Sequence, residues 1–379
     1  MKLLSILNLS NREKPGCDSG VIFHSLLFSR LAAAGWDCAI ASPIPLQVPG
    51  VRDVTFEVGS SKYDVRFRFD WDKAASLLIS ERPDVLFVHQ IEQVSSYRSL
   101  LETIGSSAKL VTYCHYWPVV ETDPLVWDDS LNHGGLANVI LMRIVAAAAT
   151  ADVFLVTSSW AGDLLKWAAR RFDTKVTAKV AVLPCPADPT LISAEPRRRH
   201  GNRRVLYNHR LYKQYGTEFF IDLANSLSSE GFTFVVTDFF TQRNAARRGL
   251  EPHVDNYRRI LANMPNIEMR GDGDIRSVYR DVIIGGVDIG LAPFRRNANW
   301  SMSAVDCMGM GVPVAAPVLG ALPEMTPKML QFSTREEGVS LLRRLANDQA
   351  FWEEASSAAS QLARSFVADR AVQTLRAYI

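Results

Sequence analysis

Residues 288–324 read DIGLAPFRRNANWSMSAVDCMGMGVPVAAPVLGALPE and decide which fold this chain can adopt. The apolar run at the start of this stretch predicts a strand that ends at Pro293. A polar loop follows, then a helix from about Ser303 that closes near Gly309, with Asp306 at its start, and then a second apolar strand. Strand-loop-helix-strand units bind ligands at their strand ends, because a helix N-terminus there presents unpaired N–H groups to a phosphate. The stretch therefore predicts an α/β sheet with a ligand site in the loop.

Length and composition favour two α/β domains. The chain has 379 residues, more than one ordinary core needs. Hydrophobic residues make up 47% and charged residues 22%, with a net charge of +2, which excludes disordered and collagen-like classes. No apolar run approaches a membrane-spanning length, and the opening MKLLSILNLSNREK predicts a first strand and not a signal peptide. Five cysteines without C-x-x-C or metal-ligand spacing favour a reducing cytoplasm.

Polar residues follow several predicted strands of the first domain. The turn at residues 15–20, PGCDSG, separates the first strand from a helix, and its glycines would let backbone amides approach a phosphate. A turn without any ligand is the alternative. His89 ends a buried strand, and His115 directly follows the apolar strand Lys109–Cys114. A single histidine is more often structural, but the position at a strand end favours function for His115 and leaves His89 open.

A second domain is predicted to begin after the aperiodic segment Ser193–Asn202. The strand that opens it is followed by Arg210 and Lys213, and paired cations of this kind suit a diphosphate. Arginines also cluster at positions 197–204 and near position 247. These clusters predict either a solvated surface or contacts to the phosphates of a nucleic acid.

The ordered series of motifs resembles the family 4 retaining glycosyltransferases. That family has a loop of the form E-x-F-G-x-x-x-x-E-A-x-x-x-G-x-P, and the stretch 288–324 is similar to it when aligned on Gly311 and Pro313. Asp306 then falls on the second acid, whereas Ala298 replaces the first. The resemblance implies the GT-B fold, an α/β architecture of two doubly wound Rossmann-like domains that face each other across a cleft.

A second motif supports the same resemblance. The family's G-R-L-x-x-x-K-G is matched by Arg210 and Gly216, with Lys213 two residues early and Tyr215 in the place of the lysine. The run Asn208-His209-Arg210 also resembles the tRNA-queuosine mannosyltransferase branch of the superfamily.

The resemblance also implies a division of the chain. Residues 1–192 would form an acceptor-side domain, residues 203–355 a nucleotide-sugar-binding domain, and residues 356–379 a C-terminal helix that crosses back to the first domain. We predict this last helix as one element from Phe351 to Arg376. Residues 50–70 alternate between polar and apolar, which predicts one or two strands.

The family's functional positions imply three groups of site residues. The implied catalytic residues are His115, Arg210 and Lys213. The implied donor-binding residues are Gly20, Arg210, Lys213, Asn299, Trp300, Ser301, Met302, Ser303 and Asp306. The implied acceptor-side residues are Asp18, Ser19, His89, Tyr116 and Trp117. Neither a metal nor any other cofactor is expected, because the cations would stabilise the leaving diphosphate.

The implied activity is transfer of a hexosyl or pentosyl group from a nucleoside diphosphate sugar, such as a UDP-sugar, to an acceptor hydroxyl with retention of configuration. A nucleic-acid base in tRNA or modified DNA is one candidate acceptor, and a polysaccharide or small metabolite is another. Nucleotide-sugar epimerisation and a catalytically inactive binding protein are the alternatives, the second motivated by the departures at Ala298, Ser301 and Tyr215. The oligomeric state stays open.

Overall fold

The computed structural model describes residues 1–10, 12–13, 15–128, 131–132, 135–237, 253–270, 279–280, 282, 286–296 and 298–379. The chain divides into two compact units. The first unit comprises Met1–Pro186 and Ala368–Ile379, and the second comprises Ala187–Val367.

A parallel sheet forms the centre of the first unit. The strands of this unit are β1 (Lys2–Ile6), β2 (Asp37–Ser42), β3 (Arg52–Thr55), β4 (Val85–Val88), β5 (Lys109–Cys114), β6 (Val119–Thr122), β7 (Leu125–Trp127), β8 (Val153–Val156) and β9 (Lys179–Val182). Seven of them pair in parallel in the order β3-β2-β1-β4-β5-β8-β9, while β6 and β7 form an antiparallel hairpin. The side chains of β4 are all buried, as expected for a central parallel strand covered on both faces.

Helices surround this sheet. They are α1 (Ser19–Ala33), α2 (Asp64–Phe67), α3 (Trp71–Glu81), α4 (Val94–Thr103), α5 (Leu136–Thr150) and α6 (Ser159–Arg171). Of the one or two strands predicted in residues 50–70, the structure contains one, β3, whereas Asp64–Phe67 is helical. Only Val65 of that short helix is buried, and so few residues cannot distinguish a period of two from a helical turn.

The second unit contains a second parallel sheet. Its strands are β10 (Arg204–Tyr207), β11 (Thr233–Thr237), β12 (Ile267–Arg270), β13 (Ile289–Leu291), β14 (Val314–Pro317) and β15 (Gln331–Phe332). Its helices are α7 (Thr217–Ser226), α8 (Val254–Ala262), α9 (Met302–Gly309), α10 (Leu322–Met325), α11 (Arg335–Asn347) and α12 (Gln349–Arg364). The strand order is β12-β11-β10-β13-β14-β15. This order is that of a doubly wound nucleotide-binding sheet.

The last helix, α13 (Ala368–Tyr378), belongs to the first unit. A single helix from Phe351 to Arg376 was predicted, and this is wrong because α12 ends at Arg364. Val367, which lies between the two helices, forms an isolated parallel β-bridge with Ala187. The backbone is extended there and cannot continue the helix. Within the first unit α13 packs on α1, where Arg376 donates to the Ala34 carbonyl oxygen at 2.9 Å.

The structure also bears on membrane insertion. Across the described ranges, the helices are all too short or too polar to cross a bilayer.

Candidate functional site

The strand order reverses at one place in each sheet. These switch points lie between β1 and β4 in the first unit and between β10 and β13 in the second. Ligands of open α/β sheets bind outside the carboxyl ends of the strands at such points. The predicted site residues follow β1, β4 and β5 in the first unit and β10 and β13 in the second.

The turn between β1 and α1 connects three of the predicted residues. Asp18 is the N-cap of α1, and its Oδ1 accepts from the Gly20 amide at 2.8 Å. The Oγ of Ser19 lies 2.8 Å from the Nε2 of His115, which follows β5. A Cβ atom on Gly20 would lie 2.8 Å from the Nε2 of His89, which follows β4. The structure therefore brings the loops after β1, β4 and β5 together around a position where only glycine fits.

Three histidine rings form a cluster beneath this turn. The ring centroids of His24 and His89 are 4.9 Å apart, and those of His89 and His115 are 5.6 Å apart. Burial lowers the pKa of His24 to about 4, and it lowers the pKa of His89 well below the ordinary value. Burial also lowers the pKa of His115, although the Asp18 carboxylate opposes this. These imidazoles are therefore neutral near pH 7 and act through hydrogen bonds. His24 was missed by sequence reasoning, because it lies inside a predicted helix.

Tyr116 and Trp117, predicted on the acceptor side, directly follow His115, and their side chains make contacts within the first unit. The Tyr116 hydroxyl donates to the buried Glu92 carboxylate, and the Arg66 guanidinium lies over the Tyr116 ring at 4.3 Å from its centroid. Arg66 also donates to Glu92 Oε1 at 3.2 Å. Trp117 is packed in the apolar core of the first unit. Their contact with an acceptor stays a prediction.

A reciprocal amide pair joins the loops after β1 and β4. The backbone N–H of Asn8 donates to Gln90 Oε1 at 2.9 Å, and Gln90 Nε2 donates back to the Asn8 carbonyl at 2.9 Å. The Nδ2 of Asn8 also donates to Gln93 Oε1 at 3.2 Å. Sequence analysis did not assign a role to these residues. The signal was present as polar side chains directly after two apolar strands.

In the second unit, Arg210 and Lys213 lie in the loop after β10. The Tyr207 hydroxyl donates to the Arg210 carbonyl at 3.0 Å, which fixes the backbone of this loop. The guanidinium carbon of Arg210 lies 5.9 Å from the centroid of the Tyr212 ring. Throughout the described part of the chain, neither the Arg210 nor the Lys213 side chain has a carboxylate partner. The loop therefore carries two cations whose charge is not neutralised by any carboxylate of the described residues.

His209, beside Arg210, is buried in an aromatic cluster. Its ring centroid lies 5.0 Å from that of Phe294 and 6.1 Å from that of Tyr215, to which it is nearly parallel. Burial lowers the pKa of His209 to about 3. Its Nε2 is buried and has no hydrogen-bond partner among the described residues. The sequence places His209 in a motif. It does not show that the His209 ring is buried against Phe294 in the loop after β13.

The helix α9 begins at the predicted donor loop. Ser301 is its N-cap, and its Oγ accepts from the Ala304 amide at 3.2 Å, so the half-buried Met302 and Ser303 form the start of the first turn. The Nδ2 of Asn208 donates to the Ser303 carbonyl at 3.0 Å and ties this turn to the end of β10. Asp306 was predicted at the helix start, and this is wrong by one turn, because the serine cap places the start at Met302.

The preceding loop is more buried than the alignment suggested. Ala298, at the position of the family's first acid, is 8% exposed, and its carbonyl accepts from the Ala321 amide at 2.8 Å. Trp300 packs edge to face on Phe366 at a centroid distance of 5.1 Å. Asn299 is partly buried, and Asn297 lies outside the described residues. Ala298 and Trp300 therefore contribute to packing, and donor contacts by Trp300 and Asn299 stay predictions.

For the arginines at 197–204 the sequence predicts either a solvated surface or contacts to the phosphates of a nucleic acid. In the structure Arg204 is the first residue of β10, so this segment lies at the amino end of that strand, away from the ligand edge of its sheet. Arg197 donates to the Val287 carbonyl at 2.8 Å, and Arg204 pairs with Glu268 at 2.5 Å. The carboxylate of Asp288 accepts three backbone N–H groups from residues 200–202. Arg199 and Arg203 donate to the carbonyl oxygens of Ala346 and Glu230, so only the exposed Arg198 has no such bond among the described residues, and residues 243–248 lie outside the described ranges.

In the part of the chain that the structure describes, no group of three or more histidine, cysteine, aspartate or glutamate side chains could hold a metal ion.

Comparison with known proteins identifies the architecture. No protein-family model and no curated protein sequence matches the chain. The structure of sucrose-phosphate synthase from Thermosynechococcus elongatus matches 100% of this chain and 98% of its own, with a TM-score of 0.75 and 15% identity. The chain has the GT-B fold. The predicted fold class is thereby confirmed.

Other solved structures with this GT-B fold give the same result. Anabaena HepE in complex with UDP-glucose matches 100% of this chain and 98% of its own, with a TM-score of 0.70 and 12% identity. A UDP-forming α,α-trehalose-phosphate synthase from Burkholderia xenovorans gives a TM-score of 0.70 at 12% identity, over 100% of this chain and 98% of its own. At these identities the likeness shows the fold, and activity has to be argued from the site.

Proposed function

We propose that this protein is a retaining glycosyltransferase that moves a sugar from a nucleoside diphosphate sugar to a hydroxyl group of a carbohydrate or small metabolite. The observation that carries the proposal is a pair of cations after β10, Arg210 and Lys213, that lie at the switch point of a GT-B sheet and have no carboxylate partner among the described residues. Cations held there without a carboxylate partner suit a diphosphate.

The second unit would bind the donor. Arg210 and Lys213 would contact the phosphates, and the free N–H groups at the start of α9, at Met302 and Ser303, would supply further donors. Asp306 would accept from the ribose hydroxyls. The complex of HepE with UDP-glucose supports a UDP-sugar as the first donor to test.

The chemistry requires a leaving diphosphate to be stabilised. The bond between the anomeric carbon and the diphosphate oxygen breaks, and its electron pair stays on that oxygen. The acceptor hydroxyl oxygen bonds to the same carbon with the original configuration, and its proton passes to the departing diphosphate. Arg210 and Lys213 would stabilise the charge that develops on the diphosphate, which is the largest electrostatic contribution such a site can make. His115, neutral and within hydrogen-bond distance of Ser19, would offer a hydrogen bond to substrate at the carboxyl edge of the first unit's sheet.

A carbohydrate or small-metabolite acceptor is better supported than a nucleic-acid base. Four of the five arginines in residues 197–204, which motivated the nucleic acid, bond to carbonyls or a carboxylate within their own unit, and only the exposed Arg198 has no such bond among the described residues. Two proteins with similar structures are a sucrose-phosphate synthase and a trehalose-phosphate synthase.

A catalytically inactive nucleotide-sugar-binding protein is the second candidate. The buried Ala298 favours it, because this side chain cannot supply the carboxylate that the family uses there. The two candidates differ in turnover and not in donor binding.

The test is a screen of UDP- and GDP-sugars for protection against thermal unfolding, followed by turnover assays with the best donor. We expect one donor class to raise the melting temperature and to be hydrolysed slowly without an acceptor. Transfer to a sugar acceptor, with product configuration read by NMR, should give the donor's anomeric form. Inverted product would contradict retention, and protection without any hydrolysis or transfer would favour the inactive binding protein.

A further inference from the structure

His24 makes two hydrogen bonds that determine which of its ring nitrogens carries the proton. The side chain is fully buried, with Nδ1 at 2.7 Å from the Gly20 carbonyl oxygen and Nε2 at 2.8 Å from Ser5 Oγ. A carbonyl oxygen can only accept, so Nδ1 carries the proton. Nε2 is then the acceptor, and the Ser5 hydroxyl donates to it. The ring is therefore held as a neutral Nδ1–H tautomer between strand β1 and the first turn of α1.

The groups around His24 are those of the predicted acceptor-side region. Gly20, whose carbonyl it holds, leaves no room for a Cβ atom because the Nε2 of His89 would lie 2.8 Å away. The His24 ring also contacts His89 directly, with the ring planes inclined at 67°. Ser19, the neighbour of Gly20, is within hydrogen-bond distance of His115. A change at His24 would therefore move both the turn and the His89 ring.

We propose that His24 is a positioning residue for glycosyl transfer, holding the Gly20 turn and the His89 ring in the arrangement that sets Ser19 against His115. It does not reach substrate, because its side chain has no exposed surface. The inference rests on the proposed glycosyltransferase function for its kinetic part only. Reactions of this kind depend on positioning, because displacement of a reacting group by about 1 Å can cost about a hundredfold in rate.

Three substitutions separate the two hydrogen bonds of the His24 ring. His24→Leu removes both hydrogen bonds, and His24→Asn keeps an N–H donor close to the position of Nδ1 while losing the acceptor. Ser5→Ala leaves the ring in place and removes only the hydroxyl that donates to it. Leu31→Ala is the matched control, because Leu31 is buried on the same helix and carries no polar atom.

The kinetic result should distinguish positioning from packing. We expect His24→Leu to lower kcat about tenfold to a hundredfold with the donor KM nearly unchanged, because the donor would bind to the second unit. His24→Asn should recover part of this loss, and Ser5→Ala should lower kcat by a smaller factor. Leu31→Ala should destabilise the fold yet keep kcat near wild type. Equal kcat in His24→Leu and Leu31→Ala would overturn the proposal, and if His24→Leu does not fold, Ser5→Ala decides it in the same way.

A measurement on the protein without substrate tests the positioning role of His24 independently of any glycosyltransferase activity. Nitrogen-15 NMR of the imidazoles should show His24 as the Nδ1–H tautomer in the wild type. The His89 and His115 signals should shift in Ser5→Ala and His24→Asn but not in Leu31→Ala. An Nε2–H tautomer for His24, or unshifted signals, would refute the positioning role. Absence of turnover with every donor would contradict the glycosyltransferase function while these spectra still decide the placement of His24.

Discussion

Gly216 lies so close to Pro293 that a Cβ atom on the glycine would be 1.7 Å from the proline carbonyl oxygen. The backbone of Gly216 also has a φ of +75°, which side chains of L residues rarely adopt. The contact joins the loop after β10 to the loop after β13 at the switch point of the second sheet. The cationic loop of Arg210 and Lys213 is thereby held against the loop that leads to α9.

Gly216→Ala should therefore destabilise the second unit and weaken donor binding. The backbone conformation alone costs about 1 to 2 kcal/mol, and the clash with Pro293 adds to that. Gly231→Ala is the control, because Gly231 has a φ of +73° and nothing within 4 Å of the added atom. Urea unfolding should show the larger loss for Gly216→Ala. An equal loss in the two variants would contradict the close packing of the two loops.

Arg210→Ala should reduce turnover far more than stability. The guanidinium has no ionic partner in the described structure, so its removal breaks no ion pair, while the leaving diphosphate would lose a cation. We expect kcat to fall about a hundredfold or more, as for loss of one charge-stabilising donor. Arg204→Ala, at the opposite end of β10, is the control and should keep kcat. Because its ion pair with Glu268 is partly exposed, its loss should lower the free energy of unfolding by at most about 1 kcal/mol. Near-normal turnover of Arg210→Ala would transfer the role to Lys213.

Asp306→Ala should weaken nucleotide binding without unfolding the protein. Loss of charge-assisted hydrogen bonds to the ribose should cost about 1.5 to 3 kcal/mol, or about tenfold to a hundredfold in Kd. Isothermal titration calorimetry with the protecting nucleotide measures this directly. Asp222→Ala removes an exposed carboxylate from α7 of the same unit and should leave Kd unchanged. Unaltered affinity of Asp306→Ala would refute its ribose role.

The buried histidines should make the fold less stable in mild acid. Burial lowers the pKa of His24 to about 4 and of His209 to about 3, whereas the unfolded chain binds these protons below about pH 6.5. The stabilisation that these neutral imidazoles give the folded state is complete above that pH. It is lost as the pH falls toward the pKa values of the folded state. Between about pH 7 and pH 5 each histidine should remove about 2 kcal/mol from the free energy of unfolding.

Urea unfolding at the two pH values tests this in variants. His209→Phe should lose about 2 kcal/mol of the pH dependence, whereas His253→Gln, at an exposed position, should keep the wild-type dependence. The same pH dependence in His209→Phe and wild type would show that His209 is not held neutral by burial.

Turnover should continue in EDTA. The proposed stabilisation of the diphosphate uses Arg210, Lys213 and the start of α9, and no divalent ion is needed in that arrangement. The rate should stay within about twofold of that in untreated enzyme, with a metal-dependent transferase as assay control. Loss of activity in EDTA that Mg²⁺ or Mn²⁺ restores would overturn the metal-independent mechanism.

Local patterns in the sequence determined the two-sheet α/β architecture and most of the loops in which function was predicted. Pro293 ends a strand, Ser301 caps a helix and Gly216 turns the chain, and each of these effects depends on the residue and its immediate neighbours. The position of His115 after an apolar strand likewise placed it at the carboxyl edge of a sheet. Such features can be read from sequence because backbone geometry and hydrophobic periodicity are local properties.

Tertiary structure alone decided which of these residues meet and which polar groups are already occupied. Asn8 and Gln90, 82 positions apart, bond reciprocally, and His24 reaches Ser5 from within a helix that looked merely amphipathic. Four of the five arginines in residues 197–204 are occupied by carbonyl or carboxylate partners, and the side chain of Ala298 is buried, neither of which the motifs showed. The physical reason is that burial and hydrogen-bond partners depend on segments brought together from distant parts of the chain, which the order of residues in any one motif does not record.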